Sequence, residues 1–253
     1  MKLTGFDGTL ALVTGAAGGI GVALVRQLLH SGCVVVATDL ALPDLPAHPR
    51  LHARVLDVTD PAAVDALVTA TEAQWGPIGF GISVAGVLQV GAVTSIDDAQ
   101  WRRVFAVNAD GVFHLGRALA RVMTPRGQGA IVTVSSNAAG VPRHGMAAYA
   151  ASKAAATMFT RCLGLELAPH GIRCNIVAPG STLTPMQTGM WADADGARQV
   201  IDGNPATYKA GIPLLKLATP DDIARAVMFL LSDEAGHIAM SDLYVDGGAT
   251  LRG

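Results

Sequence analysis

Strand-like apolar runs alternate with helical patterns along almost the whole of this 253-residue chain. The run at residues 33–38, Cys-Val-Val-Val-Ala-Thr, is continuously apolar and rich in β-branched residues, which is typical of a strand buried on both faces. Six further runs are at residues 9–14, 51–56, 79–84, 130–134, 172–178 and 243–246, and helical patterns are at residues 19–31, 61–75, 97–124, 149–168 and 220–232. Repeated βα units form a parallel sheet covered by helices. We therefore predict an α/β fold with a doubly wound parallel sheet of about seven strands and helices on both faces.

The composition supports a single domain over residues 1–253. Hydrophobic residues make up 51% and charged residues 15% of the chain, which is enough apolar material for one substantial core. The exception to the alternation is the segment 181–211, which is rich in Gly and Thr and too long for an ordinary connection. We predict that this segment is a mobile lid over a substrate.

Charge, hydropathy and cysteine content exclude several functional classes. The formal net charge is −2, so the chain lacks the basic surplus of a nucleic-acid-binding protein. Two long uncharged stretches, residues 8–25 and 73–96, are broken by glycines and are poor membrane spans. Three scattered cysteines, and His48 and His52 in a proline-rich loop, indicate neither a disulfide framework, a zinc site nor a metal hydrolase. We expect a cytoplasmic protein with no metal, no nucleic-acid partner and no membrane partner.

The turn after the first strand reads Thr-Gly-Ala-Ala-Gly-Gly-Ile-Gly over residues 14–21. Glycines there permit a tight turn and let backbone N–H groups at a helix start approach a pyrophosphate. Asp39 ends the second strand, where a carboxylate can accept hydrogen bonds from ribose hydroxyls and repel the 2′-phosphate of NADP. We predict a Rossmann-type dinucleotide site that selects NAD. Asp57 and Val58, which follow the third strand, are candidates for adenine contact, and Asp57 is equally consistent with capping the next helix.

Tyr149 and Lys153 are four residues apart, so they share one face of a predicted helix. A tyrosine, whose ordinary pKa is near ~10, becomes a base at neutral pH when a neighbouring cation favours its phenolate, and Lys153 is placed to do this. Ser136 lies 13 residues before Tyr149 on a loop after a strand, where it can hold a substrate oxygen against the tyrosine hydroxyl. Each residue type is common on protein surfaces, but together with the glycine turn they indicate a hydride-transfer site.

These motifs resemble those of the short-chain dehydrogenase/reductase family, and the resemblance covers nearly the whole chain. The matching pieces are the glycine turn, Phe-Ala-Val-Asn at residues 105–108, Ser136 with Tyr-x-x-x-Lys at residues 149–153, Pro-Gly at residues 179–180 with Thr184, and Val-Asp-Gly-Gly at residues 245–248. One piece departs from the family pattern, because Ser-Val-Ala-Gly at residues 83–86 lacks a stabilising asparagine.

The resemblance implies roles for individual residues. Asn108 is implied to bend the fourth helix and to anchor a water that links Lys153 to solvent, and Lys153 to contact the nicotinamide ribose. Helices from Asp97 and Tyr149 are implied to pack into a homo-oligomer, with a tetramer favoured. The catalytic set is Asn108, Ser136, Tyr149 and Lys153. The expected NAD-binding set is Gly15, Gly19, Ile20, Gly21, Asp39, Asp57, Val58, Ala85, Gly86, Tyr149, Lys153, Pro179, Gly180, Thr182 and Thr184.

Several stretches are similar to family members that oxidise a cyclic diol carboxylate to the catechol acid of siderophores. They are residues 139–149, 179–187, 189–191, 208–216 and 245–251. The resemblance implies a cyclohexadiene diol carboxylate as the small-molecule substrate, and Arg143 is the best-placed cation for its carboxylate. The remaining pocket is expected to consist of Ser136, Met146, Tyr149, Met186, Met190, Trp191 and Gln89.

Two alternatives come from other functions. A 3-oxoacyl carrier-protein reductase, or another hydroxy-ring dehydrogenase, would share every catalytic residue. A reductase more often has a basic residue for the 2′-phosphate of NADPH, and Asp39 argues against it. A non-catalytic NAD-binding sensor would be expected to have lost Ser136, Tyr149 or Lys153, and all three are present. An NAD-dependent dehydrogenase is therefore the favoured prediction.

Overall fold

A sheet of seven parallel strands forms the centre of the protein. The structure, a computed structural model, describes residues 2–42 and 44–251. The strands are β1 (Leu10–Thr14), β2 (Val34–Asp39), β3 (Leu51–Val55), β4 (Ile78–Ser83), β5 (Gly129–Val134), β6 (Ile172–Pro179) and β7 (Asp242–Val245). Their order in the sheet is β3-β2-β1-β4-β5-β6-β7, and every pairing is parallel. The predicted doubly wound, Rossmann-type sheet is confirmed.

Helices cover both faces of this sheet. They are α1 (Gly19–His30), α2 (Pro61–Trp75), α3 (Asp98–Phe105), α4 (Gly111–Met123), α5 (Ala147–Leu167), α6 (Pro185–Thr188), α7 (Gly196–Asp202) and α8 (Pro220–Leu231). Ala11 and Val13 of β1 belong to a core with α1 and α8, whereas Leu10 and Leu12 belong to a core with α2, α4 and α5. Because successive strand side chains point to opposite faces, both faces need apolar residues. None of these helices is long and apolar enough to span a membrane.

The strand order reverses at β1, because β2 and β3 lie on one side of it and β4 to β7 on the other. In doubly wound sheets, ligands bind at this point, in the crevice beyond the carboxyl ends of the strands. The turn at residues 14–21 follows β1, and the loop at residues 84–91 follows β4. The topology therefore places the glycine turn at the expected crevice.

Two details of the helices, the start of α2 and a π-helical turn, can be compared with the prediction from local sequence. α2 begins at Pro61 as predicted, and the Asp60 carboxylate accepts hydrogen bonds from the N–H groups of Ala62 and Ala63 at 2.9 and 3.1 Å. The long helical stretch predicted at residues 97–124 is present as α3, a π-helical turn at Ala106–Asp110 and α4, which follow one another without a break. Apolar periodicity does not distinguish an α-helical turn from a π-helical one, so it does not locate this turn.

The segment 181–211 contains the short helices α6 and α7 rather than a regular βα unit. A bridge between Thr182 and Ala218 attaches its start to the domain, and a second bridge joins Asn204 to Lys209 within it. The segment supplies one wall of a cavity at the carboxyl end of the sheet. Its predicted opening and closing stays a prediction.

Candidate active site

Two joined cavities occupy the crevice at the carboxyl ends of the strands. The first, of about 350 Å³, is lined by the predicted cofactor residues Gly15, Gly19, Ile20, Gly21, Asp39, Asp57, Val58, Ala85, Gly86 and Thr184. The second, of about 240 Å³, is lined by the remaining members of that set, Tyr149, Lys153, Pro179, Gly180 and Thr182. Ile20, Gly86 and Thr184 line both cavities. The structure thus brings the whole predicted cofactor set together.

The glycine turn packs too closely to accept side chains at two positions. Gly15 has a φ of +71°, and a Cβ there would overlap the backbone of Ala85. A Cβ on Gly21 would overlap the carbonyl oxygen of Gly15. The first turn of α1 has no acidic residue, and its N-cap, Gly18, supplies no side-chain acceptor. The N–H groups of this turn can therefore stabilise a pyrophosphate, so the site fits a dinucleotide.

Gly21→Ala is expected to lower the free energy of unfolding by at least about 1 kcal/mol, because the added methyl group forces the backbone of the turn to shift. Gly18→Ala is the matched control. Gly18 has a φ of −74°, and a Cβ there would lie 3.5 Å from the Gly15 carbonyl oxygen, which is an ordinary contact. Denaturant unfolding of both cofactor-free variants measures the difference. Equal stabilities would show that the turn tolerates a side chain at position 21.

Asp39 is held against the glycine turn at the end of β2. Its Oδ2 accepts a hydrogen bond from the Ala17 N–H at 2.9 Å, and its Oδ1 accepts one from the Leu40 N–H at 2.7 Å. Among the residues that the structure describes, no Arg, Lys or His lines the first cavity. A carboxylate without a neighbouring cation repels a phosphate and suits ribose hydroxyls. The electrostatics of this cavity favour a dinucleotide without a 2′-phosphate.

Asp57 lines the first cavity and also shapes the turn before α2. Its Oδ1 accepts hydrogen bonds from the N–H and the hydroxyl of Thr59 at 2.9 and 2.8 Å. The N-cap of α2 is Asp60, so Asp57 does not cap this helix. Val58 is buried against Gly111 at the start of α4. Contact of Asp57 and Val58 with an adenine stays a prediction.

Ser136, Tyr149 and Lys153 meet in the second cavity. Tyr149 and Lys153 lie on one face of α5, and Ser136 follows the carboxyl end of β5. Ser136 lies close enough to Tyr149 to affect the pKa of its hydroxyl, and the Lys153 Nζ lies 6.0 Å from the centre of the Tyr149 ring. The Lys153 Nζ also donates a hydrogen bond to the Val134 carbonyl oxygen at 3.0 Å. This arrangement can hold a substrate hydroxyl and move its proton.

Burial dominates the acid–base properties of these side chains. It raises the pKa of Tyr149, and the hydrogen bond with Ser136 offsets part of that rise. It lowers the pKa of Lys153 to about 8, because a low-dielectric environment disfavours an ammonium group. The spacing of Tyr149 and Lys153 predicted a lowered pKa for the tyrosine. That direction was wrong because burial disfavours the phenolate and is the largest effect on this group.

Asn108 lies in the π-helical turn between α3 and α4 and is fully buried. Its Oδ1 accepts a hydrogen bond from the Val87 N–H at 2.8 Å, and its Nδ2 donates to the Val87 carbonyl oxygen at 2.9 Å. The same Nδ2 donates to the Ser152 hydroxyl at 3.0 Å. Asn108 thus ties the loop after β4 to α5. The bend implied by the family resemblance is present as a π-helical turn, and the implied water stays a prediction.

Four residues predicted to contact the substrate line the second cavity, namely Arg143, Met146, Met186 and Met190. Met186 and Met190 come from the segment 181–211, which therefore closes one side of the cavity. Apolar side chains with a few converging polar groups are typical of small-molecule sites. The cavity is suited to a small ring compound rather than to a polymer.

Two residues predicted to line the pocket lie outside it. Gln89 is not among the lining residues, because its amide Nε2 donates a hydrogen bond to the Val90 carbonyl oxygen at 3.2 Å. Leu88 lines the second cavity instead. Trp191 packs on Gly196 at the start of α7, where a Cβ would overlap the indole ring. Nearness in the sequence does not fix the direction of a side chain in a loop, and contact of Gln89 or Trp191 with the substrate stays a prediction.

Polar residues that were not predicted also line the second cavity, and Asn137, Gln187 and Lys209 are among them. The Asn137 Nδ2 donates a hydrogen bond to Asp246 Oδ2 at 3.2 Å and so joins the end of β5 to the turn after β7. Gln187 and Lys209 belong to the segment 181–211, where Lys209 is the sole lysine. A basic residue within a predicted lid was the one signal that could have identified Lys209.

The chain matches a family profile described as Enoyl-(Acyl carrier protein) reductase over residues 15–250. It is 52% identical to the 2,3-dihydro-2,3-dihydroxybenzoate dehydrogenase of Bacillus subtilis (strain 168), with 99% of each chain covered. It is 44% identical to the vibriobactin-specific 2,3-dihydro-2,3-dihydroxybenzoate dehydrogenase of Vibrio cholerae, again with 99% of each covered. The solved structure of the ligand-free aldohexose dehydrogenase of Thermoplasma acidophilum superposes with a TM-score of 0.88 at 27% identity, covering 100% of this chain and 98% of that one.

Proposed function

Because the chain belongs to the short-chain dehydrogenase/reductase family and is an oxidoreductase, we propose that it oxidises 2,3-dihydro-2,3-dihydroxybenzoate to 2,3-dihydroxybenzoate with NAD. The observation that carries this proposal is the second cavity, which holds Ser136, Tyr149 and Lys153 together with a cation, Arg143. A benzoate-type diol has a hydroxyl that can bind Ser136 and Tyr149, and a carboxylate that can bind Arg143. Full-length identity to two dehydrogenases named for this substrate supports it. We further propose that the product serves siderophore biosynthesis.

Dehydrogenases of this family use a nicotinamide cofactor, and the joined cavities fit one. The glycine turn is proposed to hold its pyrophosphate, and Asp39 its adenosine ribose. Lys153 is proposed to hold its second ribose, and Thr184 its nicotinamide end. When bound, the nicotinamide ring accepts a hydride from the reacting carbon. We propose NAD rather than NADP because the only charged groups lining the first cavity among the described residues are the carboxylates of Asp39 and Asp57.

Proton transfer in this proposal depends on the residues of the second cavity. Tyr149 accepts the proton of a ring hydroxyl while Ser136 holds the same oxygen. Lys153 stabilises the phenolate form of Tyr149, which becomes neutral when it takes up this proton, and Asn108 holds a water that carries the proton from Tyr149 and Lys153 to solvent. Loss of a hydride and a proton leaves a cyclic dienone, which tautomerises to an aromatic catechol. Aromatisation makes the oxidation effectively irreversible, in agreement with an NAD-selecting site.

The alternatives differ from this proposal in cofactor and in turnover. A 3-oxoacyl carrier-protein reductase that used NADPH would need a cation for the 2′-phosphate, and the described lining of the first cavity has none. A non-catalytic sensor would not require Ser136, Tyr149 and Lys153 in one cavity. The observed geometry therefore favours an NAD-dependent dehydrogenase over both.

The experiment that tests the function is NADH formation by the purified protein with 2,3-dihydro-2,3-dihydroxybenzoate. Parallel reactions contain NADP in place of NAD, or the same diol without its carboxylate. Turnover that requires both NAD and the carboxylate supports the proposal. If the protein binds NAD but oxidises none of these diols, the proposed substrate is wrong, while the family and the cofactor site stand.

Asp39→Ala is expected to lower the preference for NAD over NADP by at least about tenfold, because repulsion of the 2′-phosphate is lost. Steady-state kinetics with each cofactor measures this ratio. Asp44→Ala is the matched control, because this substitution removes the same charge outside the cavity. Asp44 is exposed and lies in the connection after β2. An increase in kcat/KM for NADP separates lost repulsion from simple damage to the turn. An unchanged cofactor ratio would remove Asp39 from the proposed site.

The proposed oligomer, with a tetramer favoured, would bury apolar side chains on the outer faces of three helices. Trp101 of α3, Phe113 of α4, and Met158 and Leu165 of α5 are all exposed. Exposed large apolar side chains are typical of interfaces between subunits. These helices are the ones that the family resemblance assigns to subunit packing.

A further inference from the structure

Besides Lys153, two cationic side chains line the second cavity without an ion-pair partner. Arg143 comes from the loop between β5 and α5, and Lys209 comes from the segment 181–211. Both are half-buried. Among the described residues, neither forms an ion pair within 4.0 Å or a side-chain hydrogen bond. Two unpaired cations on one cavity create a site for an anion.

The electrostatics show that these two cations act on each other. Burial lowers the pKa of Lys209, and the positive charge of Arg143 lowers it further. The pKa of Arg143 is likewise lowered by burial, and the carboxylate of Asp246 partly offsets this. Asp246 already accepts hydrogen bonds from Asn137 and from the backbone and hydroxyl of Thr250. It is therefore not a free counter-ion, and a bound anion would relieve the repulsion between the cations.

Hydrogen bonds and close packing hold the backbone of Lys209 in place, so the position of its Cα is fixed. The N–H of Lys209 donates to the Asn204 carbonyl oxygen at 3.0 Å, and the Asn204 N–H donates back at 2.8 Å. Gly203, with a φ of +83°, packs against the backbone of residues 209–211 so closely that a Cβ would overlap it. The buried Ile212 anchors the next turn through a hydrogen bond to Ile201. A binding residue on such a support loses little entropy when a ligand arrives.

We propose that Lys209 is a second carboxylate-binding residue, which together with Arg143 holds the carboxylate of the ring substrate and selects carboxylated diols over uncharged ones. This inference rests on the proposed function and deepens it. The two cations approach the carboxylate from different walls, one from the domain and one from the segment 181–211. The substrate carboxylate thereby joins the segment to the rest of the site.

The test compares Lys209→Met, Lys209→Arg and the control Lys216→Met, whose lysine is exposed and outside both cavities. For 2,3-dihydro-2,3-dihydroxybenzoate, Lys209→Met is expected to raise KM about tenfold or more, because a charge-assisted hydrogen bond is lost. Lys209→Arg is expected to restore most of this loss, and Lys216→Met to match the wild type. With the corresponding carboxamide diol, Lys209→Met and the wild type are expected to give the same KM. An equal effect on both substrates, or none on either, overturns the proposal.

A binding measurement separates this inference from the proposed function. If the wild-type protein oxidises none of the diols, the function fails, and titration calorimetry with benzoate and benzamide in the presence of NAD tests Lys209 alone. The inference holds if the wild type prefers benzoate and Lys209→Met abolishes that preference. It fails if both proteins bind the two compounds with the same ratio of affinities.

Discussion

Tyr149→Phe is expected to lower kcat by about 10³-fold, because it removes the phenolic oxygen that accepts the substrate proton in its deprotonated form, and leaves the ring in place. Ser136 acts on the pKa of this hydroxyl, and the ring is half-buried in the first turn of α5. Binding of NAD should be retained, since the phenol contributes little to the first cavity. Steady-state kinetics with the diol, together with a calorimetric titration of NAD, measures both properties.

Tyr208→Phe is the matched control for this prediction. Tyr208 lies at the rim of the same cavity, but its side chain is 96% exposed. Loss of its hydroxyl should leave turnover close to that of the wild type. Ser136→Ala should fall between the two, because Tyr149 keeps its hydroxyl while the substrate oxygen loses one partner. Residual turnover of Tyr149→Phe within about tenfold of the wild type would contradict the assignment of the base.

The second large effect concerns stability, and it comes from Lys153. This residue is only 4% exposed, and burial lowers its pKa to about 8 from an ordinary value of 10.5. Below pH 8 both the folded and the unfolded chain carry the charge, so the folded state bears the full cost of burying it, about 3 kcal/mol. Between pH 8 and pH 10.5 the unfolded chain binds more protons than the folded chain, so this destabilisation decreases as pH rises.

Lys153→Met removes the titrating group while keeping an unbranched side chain. The free energy of unfolding of the wild type, minus that of the variant, should therefore rise by about 2–3 kcal/mol from about pH 7 to about pH 10. The buried thiols of Cys33 and Cys174, whose pKa values are raised to about 12, lower stability above pH 9 in both proteins and cancel in the difference. Denaturant unfolding at one protein concentration measures it, with Lys216→Met as an exposed control. A difference independent of pH would show that no buried ammonium is present.

Most of the architecture follows from local patterns in the sequence. The continuously apolar run that became β2 and the capped pattern that became α2 are recognisable because a buried strand and an amphipathic helix impose different spacings on apolar residues. The π-helical turn at Ala106–Asp110, inside the predicted helical stretch, has no such local pattern. A π-helical turn is selected by long-range contacts, here the hydrogen bonds of Asn108 to Val87 and Ser152, which no local pattern encodes.

The proton-transfer residues were predictable for a similar reason. Helical geometry alone places Tyr149 and Lys153 on one face, and a parallel sheet places the loops after its strands at one edge. The wall of the pocket was less predictable. Gln89 and Trp191 were expected there and point elsewhere, whereas Gln187 and Lys209 were not selected and line the cavity. These side chains belong to loops without a repeating geometry.

The sequence by itself determined the layers of the fold, the glycine turn, the acid at the end of β2 and the tyrosine–lysine pair, because each depends on short-range spacing. Only the tertiary structure decided the burial that shifts the pKa values of Tyr149 and Lys153, and the approach of Lys209 to Arg143. Burial and charge proximity are sums over residues that are distant in the chain. They exist only after the distant parts of the chain have packed together in the fold.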